Sequence, residues 1–161
     1  MIRVAKTEDA VKIAEIYNHY IANTVITFEK EPVTADEIST RMADVFSSSL
    51  SWLVLENNDE VIGYAYATKW RARPAYKNSV ETTIYLAKDS GGKGFGKLLY
   101  STLISTLTTS GFHTAIGGIA LPNEASVGLH ESLGFKKVAH FHEVGYKFDT
   151  WIDVGFWQMM L

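Results

Sequence analysis

Ser90-Gly91-Gly92-Lys93-Gly94-Phe95-Gly96-Lys97-Leu98-Leu99-Tyr100 lies between a strand expected over Val80 to Ala87 and a helix expected to begin near Gly94. A glycine loop running into a helix start is where chains hold phosphates. The loop amides point outward, the helix dipole is positive at that end, and glycine lets a ligand approach the backbone. Lys93 and Lys97 add positive charge. Two common phosphate motifs do not fit. Gly91 to Lys97 meets the G-x-x-x-x-G-K of a nucleotide loop, but Leu98 stands where a magnesium-binding hydroxyl is required. In the dinucleotide pattern G-x-G-x-x-G, started at Gly92 and Gly94, the third glycine falls on Lys97. What remains is G-x-G at Gly94 and Gly96. Taken alone, it reads either as a phosphate cradle or as a glycine turn capping a helix.

Outward from that loop, 161 residues suit one domain, spanning 1–161, with a substantial core. A net charge of -3 argues against nonspecific nucleic-acid binding as the main task. With no cysteine, disulfides, thiolate catalysis and zinc–thiolate sites are excluded. Met1-Ile2-Arg3-Val4 leads directly into a charged helix, without the pattern of a signal peptide. No apolar run approaches the roughly 18 residues of a membrane helix. The expectation is a cytoplasmic protein with neither membrane nor nucleic acid as partner.

Hydrophobic spacing predicts a strand at Ile2 to Ala5. A helix capped by Thr7 should follow, burying Val11, Ile13, Ala14, Ile16, Tyr17 and Ile21. Thr34-Ala35-Asp36-Glu37 is a capping box opening a second helix that ends at Ser47 to Ser49. Trp52 to Glu56 and Val61 to Thr68 read as a hairpin, and Lys69 to Asn78 as a loop. After the strand at Val80 to Ala87, a helix over Gly94 to Ser110 should place Leu98, Leu99, Leu103 and Leu107 on one side. A strand at His113 to Ile119 precedes a helix from Asn123 to Leu133, stopped by Gly134. Phe135 to Val144 and Ile152 to Met160 close the chain as strands. The fold class is α/β: a mixed, largely antiparallel central sheet flanked by helices.

Several segments together resemble one family. Gly94 and Gly96 fit the glycines of Q/R-x-x-G-x-G/A, although Gly91 stands where Gln or Arg is usual. Asn123-Glu124-Ala125-Ser126-Val127-Gly128-Leu129-His130 through Gly134-Phe135 fits N-x-x-(A/S)-x-x-(L/F)-Y-x-x-x-G-F, with His130 in place of tyrosine. Ser79-Val80-Glu81-Thr82-Thr83-Ile84-Tyr85-Leu86, Trp70-Arg71 and Trp151-Ile152-Asp153-Val154-Gly155-Phe156-Trp157-Gln158 extend the match. So do Ile16-Tyr17-Asn18 and Thr27-Phe28-Glu29. The chain resembles the GCN5-related N-acetyltransferases (GNAT), and within them the phosphinothricin and methionine sulfone or sulfoximine acetyltransferase branch. The resemblance covers nearly the whole chain. It implies acetyl transfer from acetyl-CoA to the α-amino group of a small amino-acid analogue, by direct attack in a ternary complex. A peptide or other small-amine acceptor, and a noncatalytic acyl-CoA-binding module, are the competing functions.

The resemblance also implies positions. The backbone of Ile84, Tyr85 and Leu86 should pair with the pantetheine amides, and Asn123 should reach that arm. Gly92, Lys93, Gly94, Phe95, Gly96 and Lys97 should hold the pyrophosphate without a metal. Glu81 is the expected general base, alongside Thr82 and Thr83 in the acceptor site. His130 is expected either as the acid for the leaving thiolate or as a partner orienting Glu81. Arg71 and Arg73, flanking Ala72, suit a substrate carboxylate, which guanidinium grips bidentately. A solvated surface loop is the competing account of that segment. Phe28, Trp70 and Tyr76 could wall an apolar side pocket. His140 and His142 alternate on a strand, but no nearby carboxylate spacing supports a metal, and none is assigned. The resemblance implies a homodimer. Phe141, Tyr146, Phe148, Trp151, Phe156 and Trp157 exceed what the last two strands need for a core. Tyr146 or Lys147 is expected to touch the partner's substrate.

Overall fold

The computed structural model describes residues 1–161. Its strands are β1 (Ile2–Val4), β2 (Trp52–Asn57), β3 (Glu60–Lys69), β4 (Ser79–Leu86), β5 (Thr114–Leu121), β6 (Lys136–Lys147) and β7 (Thr150–Met160). Its helices are α1 (Ala10–Asn23), α2 (Ala35–Ser47), α3 (Phe95–Thr109) and α4 (Glu124–Ser132). The seven strands form one sheet in the order β1-β2-β3-β4-β5-β7-β6. Every neighbouring pair is antiparallel except β4 with β5.

That single parallel pair positions the site. β4 and β5 are paired only at Ser79↔Thr114, Val80↔Ala115 and Glu81↔Ile116. β4 then runs on to Leu86 and β5 to Leu121 without pairing to each other. The sheet is therefore forked, with Glu81 at the last paired position. Beyond it, backbone groups that face the gap have no ladder partner, which an uncovered sheet would leave to water or a ligand.

Side-chain alternation along β4 separates the layers. Thr82 meets Tyr100 of α3 on one face, whereas Tyr85 packs with Tyr17 and Tyr20 of α1 on the other. His130 of α4 joins Tyr100 on the α3 side. The main core runs through both layers, with Ile13, Ile38, Trp52, Val54, Tyr64, Leu99, Tyr100 and Leu103 deeply buried.

The α2 capping box forms as expected, with Thr34 accepting from the Glu37 amide and Glu37 accepting from the Thr34 amide. The first helix starts differently. Thr7–Asp9 is a 3₁₀ turn, and Asp9, not Thr7, accepts the Lys6 amide at 2.7 Å. Arg3 of β1 grips the same carboxylate at 2.7 and 2.8 Å, and no side chain caps the start of α1. Val11 and Leu98, both expected on buried faces, are exposed. Tyr100 and Ile104 instead join Leu99, Leu103 and Leu107 against the sheet. Trp157, counted among the surplus aromatics, is core. β6 extends past Val144 to Lys147, through a register shift between Phe141 and Gly145.

Candidate active site

Two clefts open along the fork. One, of about 620 Å³, is lined by Glu81, Thr82, Thr83, Ile84 and Tyr85 of β4, and by Gly118, Ile119 and Ala120 of β5. Tyr17, Phe28, Tyr66, His130, Phe141 and Phe156 contribute to the remaining walls. The other, of about 520 Å³, is lined by Leu86, Lys88, Gly91, Gly92, Gly94, Gly96, Lys97 and Leu129. Ile84, Tyr85, Asn123 and Ser126 line both, so the two clefts meet at the open end of β4.

Glu81 is half-buried, and its carboxylate has no hydrogen bond or ion pair within the chain. Burial pushes its pKa up, because the charged form loses water and gains no compensating partner. His130 is buried with both ring nitrogens engaged. Nδ1 lies 2.8 Å from the Ser126 carbonyl, so it carries the proton and donates. Nε2 then accepts from the Tyr100 hydroxyl at 3.0 Å. Tyr100 lies 2.7 Å from Thr82 Oγ1, at the base of the fork. Burial holds the His130 pKa below its ordinary value, which favours the neutral ring. No hydrogen bond joins His130 to Glu81, so the expected direct orienting contact is absent. Gly117 is what lets this histidine in: a Cβ there would stand 2.5 Å from His130 Nε2.

The glycine loop has the form of an anion cradle. Gly94 takes φ +81° at the start of α3, and no side chain caps that end. The first-turn amides thus remain free to donate. At Gly91, Gly92 and Gly94 a Cβ would meet nothing within 4 Å, which marks open space above the backbone. Lys97 lines this cleft. Lys93 does not; its ammonium donates to the Asp89 carbonyl at 2.9 Å. Phe95 packs its ring against the core and does not line this cleft. Asn123 caps α4 by accepting from the Ser126 amide at 3.1 Å, while lining both clefts.

The wall formed by Tyr17, Thr27 and Phe28 is locked from behind. The Tyr17 hydroxyl bonds Thr27 and Glu29, and Arg41 clamps Glu29 at 2.6 and 3.0 Å. Lys147, expected to reach toward a partner chain, is buried and donates to the Thr27 carbonyl at 2.9 Å. Arg71, Ala72, Arg73 and Tyr76 are exposed and do not line either cleft. Neither guanidinium has an ion-pair partner. The loop is tied to the site through Trp70, which packs edge-on to Phe156 at 5.7 Å and lies under Arg71 at 5.3 Å. Sequence reasoning did not place Tyr17, Tyr66, Phe141 or Phe156 in the wall. Nor did it place Lys88 and Leu129 beside the glycines.

A family model described as "Acetyltransferase (GNAT) domain" matches residues 2–156. The chain belongs to the GNAT acetyltransferase family. It is 38% identical to a phosphinothricin N-acetyltransferase of Streptomyces coelicolor, over 99% of this chain and 95% of that protein. It is 37% identical to an L-methionine sulfoximine/L-methionine sulfone acetyltransferase of Salmonella typhimurium, over 99% and 94%. A GNAT phosphinothricin acetyltransferase from Sinorhizobium meliloti, solved in complex with acetyl-CoA, superposes with a TM-score of 0.96 at 36% identity. That match covers 100% of this chain and 88% of the other. The forked, mostly antiparallel sheet is accordingly the GNAT fold, and this GNAT chain is an N-acetyltransferase that uses acetyl-CoA.

Proposed function

We propose that this chain acetylates the α-amino group of a small amino-acid analogue: methionine sulfone, methionine sulfoximine or phosphinothricin. The relatives named for those acceptors supply the substrate class. The observation that carries the mechanism is Glu81, a half-buried carboxylate without a partner at the last paired position of the fork. It lines a cleft that joins the glycine cradle.

In this reading acetyl-CoA lies along the open half of β4. The backbone of Ile84, Tyr85 and Leu86 faces the pantetheine arm, and Gly92 to Lys97 hold the pyrophosphate. The acceptor enters the larger cleft with both substrates bound. Glu81 takes a proton from the ammonium, and its raised pKa makes it a stronger base than an ordinary carboxylate. The freed amine attacks the thioester carbonyl. Collapse breaks the carbon–sulfur bond, and the thiolate takes up a proton while the new amide nitrogen loses its second one. Neutral His130 holds Tyr100 and, through it, the base of the fork. Its depressed pKa makes imidazolium scarce near neutrality, so positioning suits it better than acid catalysis. Arg71 and Arg73 are exposed, unpaired cations outside the clefts, and Arg71 is tied to the wall through Trp70 and Phe156; in this reading they reach a substrate carboxylate from there.

A noncatalytic acyl-CoA module has no use for a desolvated, partnerless glutamate, so that feature favours an enzyme. Thiol release from acetyl-CoA, measured against a panel of free amino acids, their methyl esters, peptides and polyamines, tests the proposal. Turnover is expected with the free sulfone, sulfoximine or phosphinate and poor with the corresponding ester. Equal turnover of acid and ester would remove the arginines from carboxylate recognition, and a peptide as best acceptor would overturn the substrate class.

A further inference from the structure

A second cluster of chemically capable side chains lies outside the cleft, on the β6–β7 hairpin. His140 Nε2 is 2.7 Å from Asp153 Oδ2, and His142 Nδ1 is 3.1 Å from the same oxygen. The ligand atoms of all three residues lie within 4.8 Å of one another. The two imidazole rings stand 4.5 Å apart, centroid to centroid. Strand alternation puts both histidines on one side of β6, and β7 brings the carboxylate alongside. The register shift then fixes that carboxylate. Glu143, at φ 51°, donates its amide to Asp153 Oδ1 at 2.8 Å, leaving Oδ2 to face the two rings.

We propose that His140 Nε2, His142 Nδ1 and Asp153 Oδ2 form a binding site for a zinc-class divalent cation. Two imidazoles and a carboxylate suit zinc, cobalt, nickel or copper better than magnesium or calcium. Tetrahedral zinc bonds of about 2.0–2.1 Å separate neighbouring ligand atoms by about 3.3 Å. To admit the ion, the two contacts to Oδ2 open by about 0.6 and 0.2 Å, and the two ring nitrogens, within 4.8 Å of each other, draw in toward the same separation of about 3.3 Å. His142 is largely exposed, which gives the cation an entry path and leaves a fourth position to water.

Without the cation, each histidine donates a ring N–H to Oδ2. On binding, those protons shift to the opposite ring nitrogens, so two neutral imidazoles and one carboxylate face the ion. Lys137, whose ammonium lies 2.9 Å from His140 Nδ1, must then swing aside, and its exposure permits this. The site is distinct from the transfer chemistry, which needs no metal. Its neighbours Phe141 and Val154 do line the acceptor cleft, so the ion would cross-link the two strands that carry that wall.

The test uses full-length protein without a histidine tag, treated with chelator and titrated with zinc chloride in a calorimeter. Cobalt absorption in the visible range reports the ligand set. One zinc per chain is expected, with affinity reduced at least about tenfold in His142→Ala and in Asp153→Asn. Asp153→Asn also touches the Glu143 amide, so circular dichroism accompanies it; His142→Ala changes an exposed side chain and keeps the fold. Absence of zinc binding by the wild type, or binding that survives both substitutions, overturns the proposal.

Discussion

Replacing Glu81 by glutamine keeps its shape and removes both its charge and its capacity to accept a proton. Acetyl-CoA binding should persist in Glu81→Gln while kcat falls on the order of 10² or more, as for loss of a general base. Near-normal turnover across pH would take Glu81 out of that role. In the wild type, kcat/KM should decline on acidification through a pKa above the ordinary glutamate range, because the base works only when ionised. Stability moves the other way. A folded-state pKa raised above the unfolded one destabilises the fold once pH exceeds it, and this penalty is absent below the unfolded pKa. Glu81→Gln should therefore melt higher than wild type at neutral pH, on the order of a few degrees, and the gap should close in acid. Thermal melts at two pH values decide this. The sequence pointed to Glu81 because its place in the strand motif was visible. It could not show that Tyr66 and Phe156 line the same cleft, since those residues come from distant segments.

At the scale of elements, the proposed reading assigns the glycine turn to the coenzyme and the wall held by Lys147 to the acceptor. Gly94→Asp puts a carboxylate in the open space above the first-turn amides of α3, at a left-handed position that side chains adopt with strain. Acetyl-CoA affinity should fall at least about tenfold, or 1.4 kcal/mol. Calorimetry with unchanged affinity and an intact fold would mean that the coenzyme binds elsewhere. Lys147→Met removes the ammonium that holds the Thr27 carbonyl and keeps the packing. Burial, with Lys30 nearby, already pulls the Lys147 pKa down, so the lost bond is offset by relief from a poorly solvated charge. Global stability should change little. The loop carrying Thr27 and Phe28 should loosen, raising KM for the acceptor several-fold with KM for acetyl-CoA unchanged. Equal shifts in both constants would contradict this division of labour.

At the scale of the whole molecule, the outer hairpin presents more apolar surface than a lone chain needs. Phe148 and Trp151 are 57% and 60% exposed, and Tyr146 packs at a tilt against Trp151 at 4.7 Å. Val138 on the same hairpin is 56% exposed. We propose that a second copy of the chain covers the hairpin, since two-fold pairing is the commonest way to bury such a surface. Sedimentation at micromolar concentration should show a dimer, and Trp151→Glu should shift it toward monomer. A single species near the 17.9 kDa chain mass, fully active, would rule out an obligate dimer.

The order of elements, the α2 capping box and the glycine turn that opens α3 were legible in the chain itself. Each depends on residues a few positions apart, where periodicity and backbone preference act directly. The Thr34–Glu37 cap formed as read because nothing distant competes for it. Thr7 does not cap, since it lies inside a 3₁₀ turn whose Asp9 is tied to Arg3 of β1. Tertiary structure alone decided that β4 and β5 part after Glu81, creating the clefts. It also decided that Lys147 turns inward to Thr27. His140 and His142 found their carboxylate only when β7 paired with β6. These outcomes rest on contacts between residues far apart in the chain, whose energies depend on packing, burial and register, which no local pattern records.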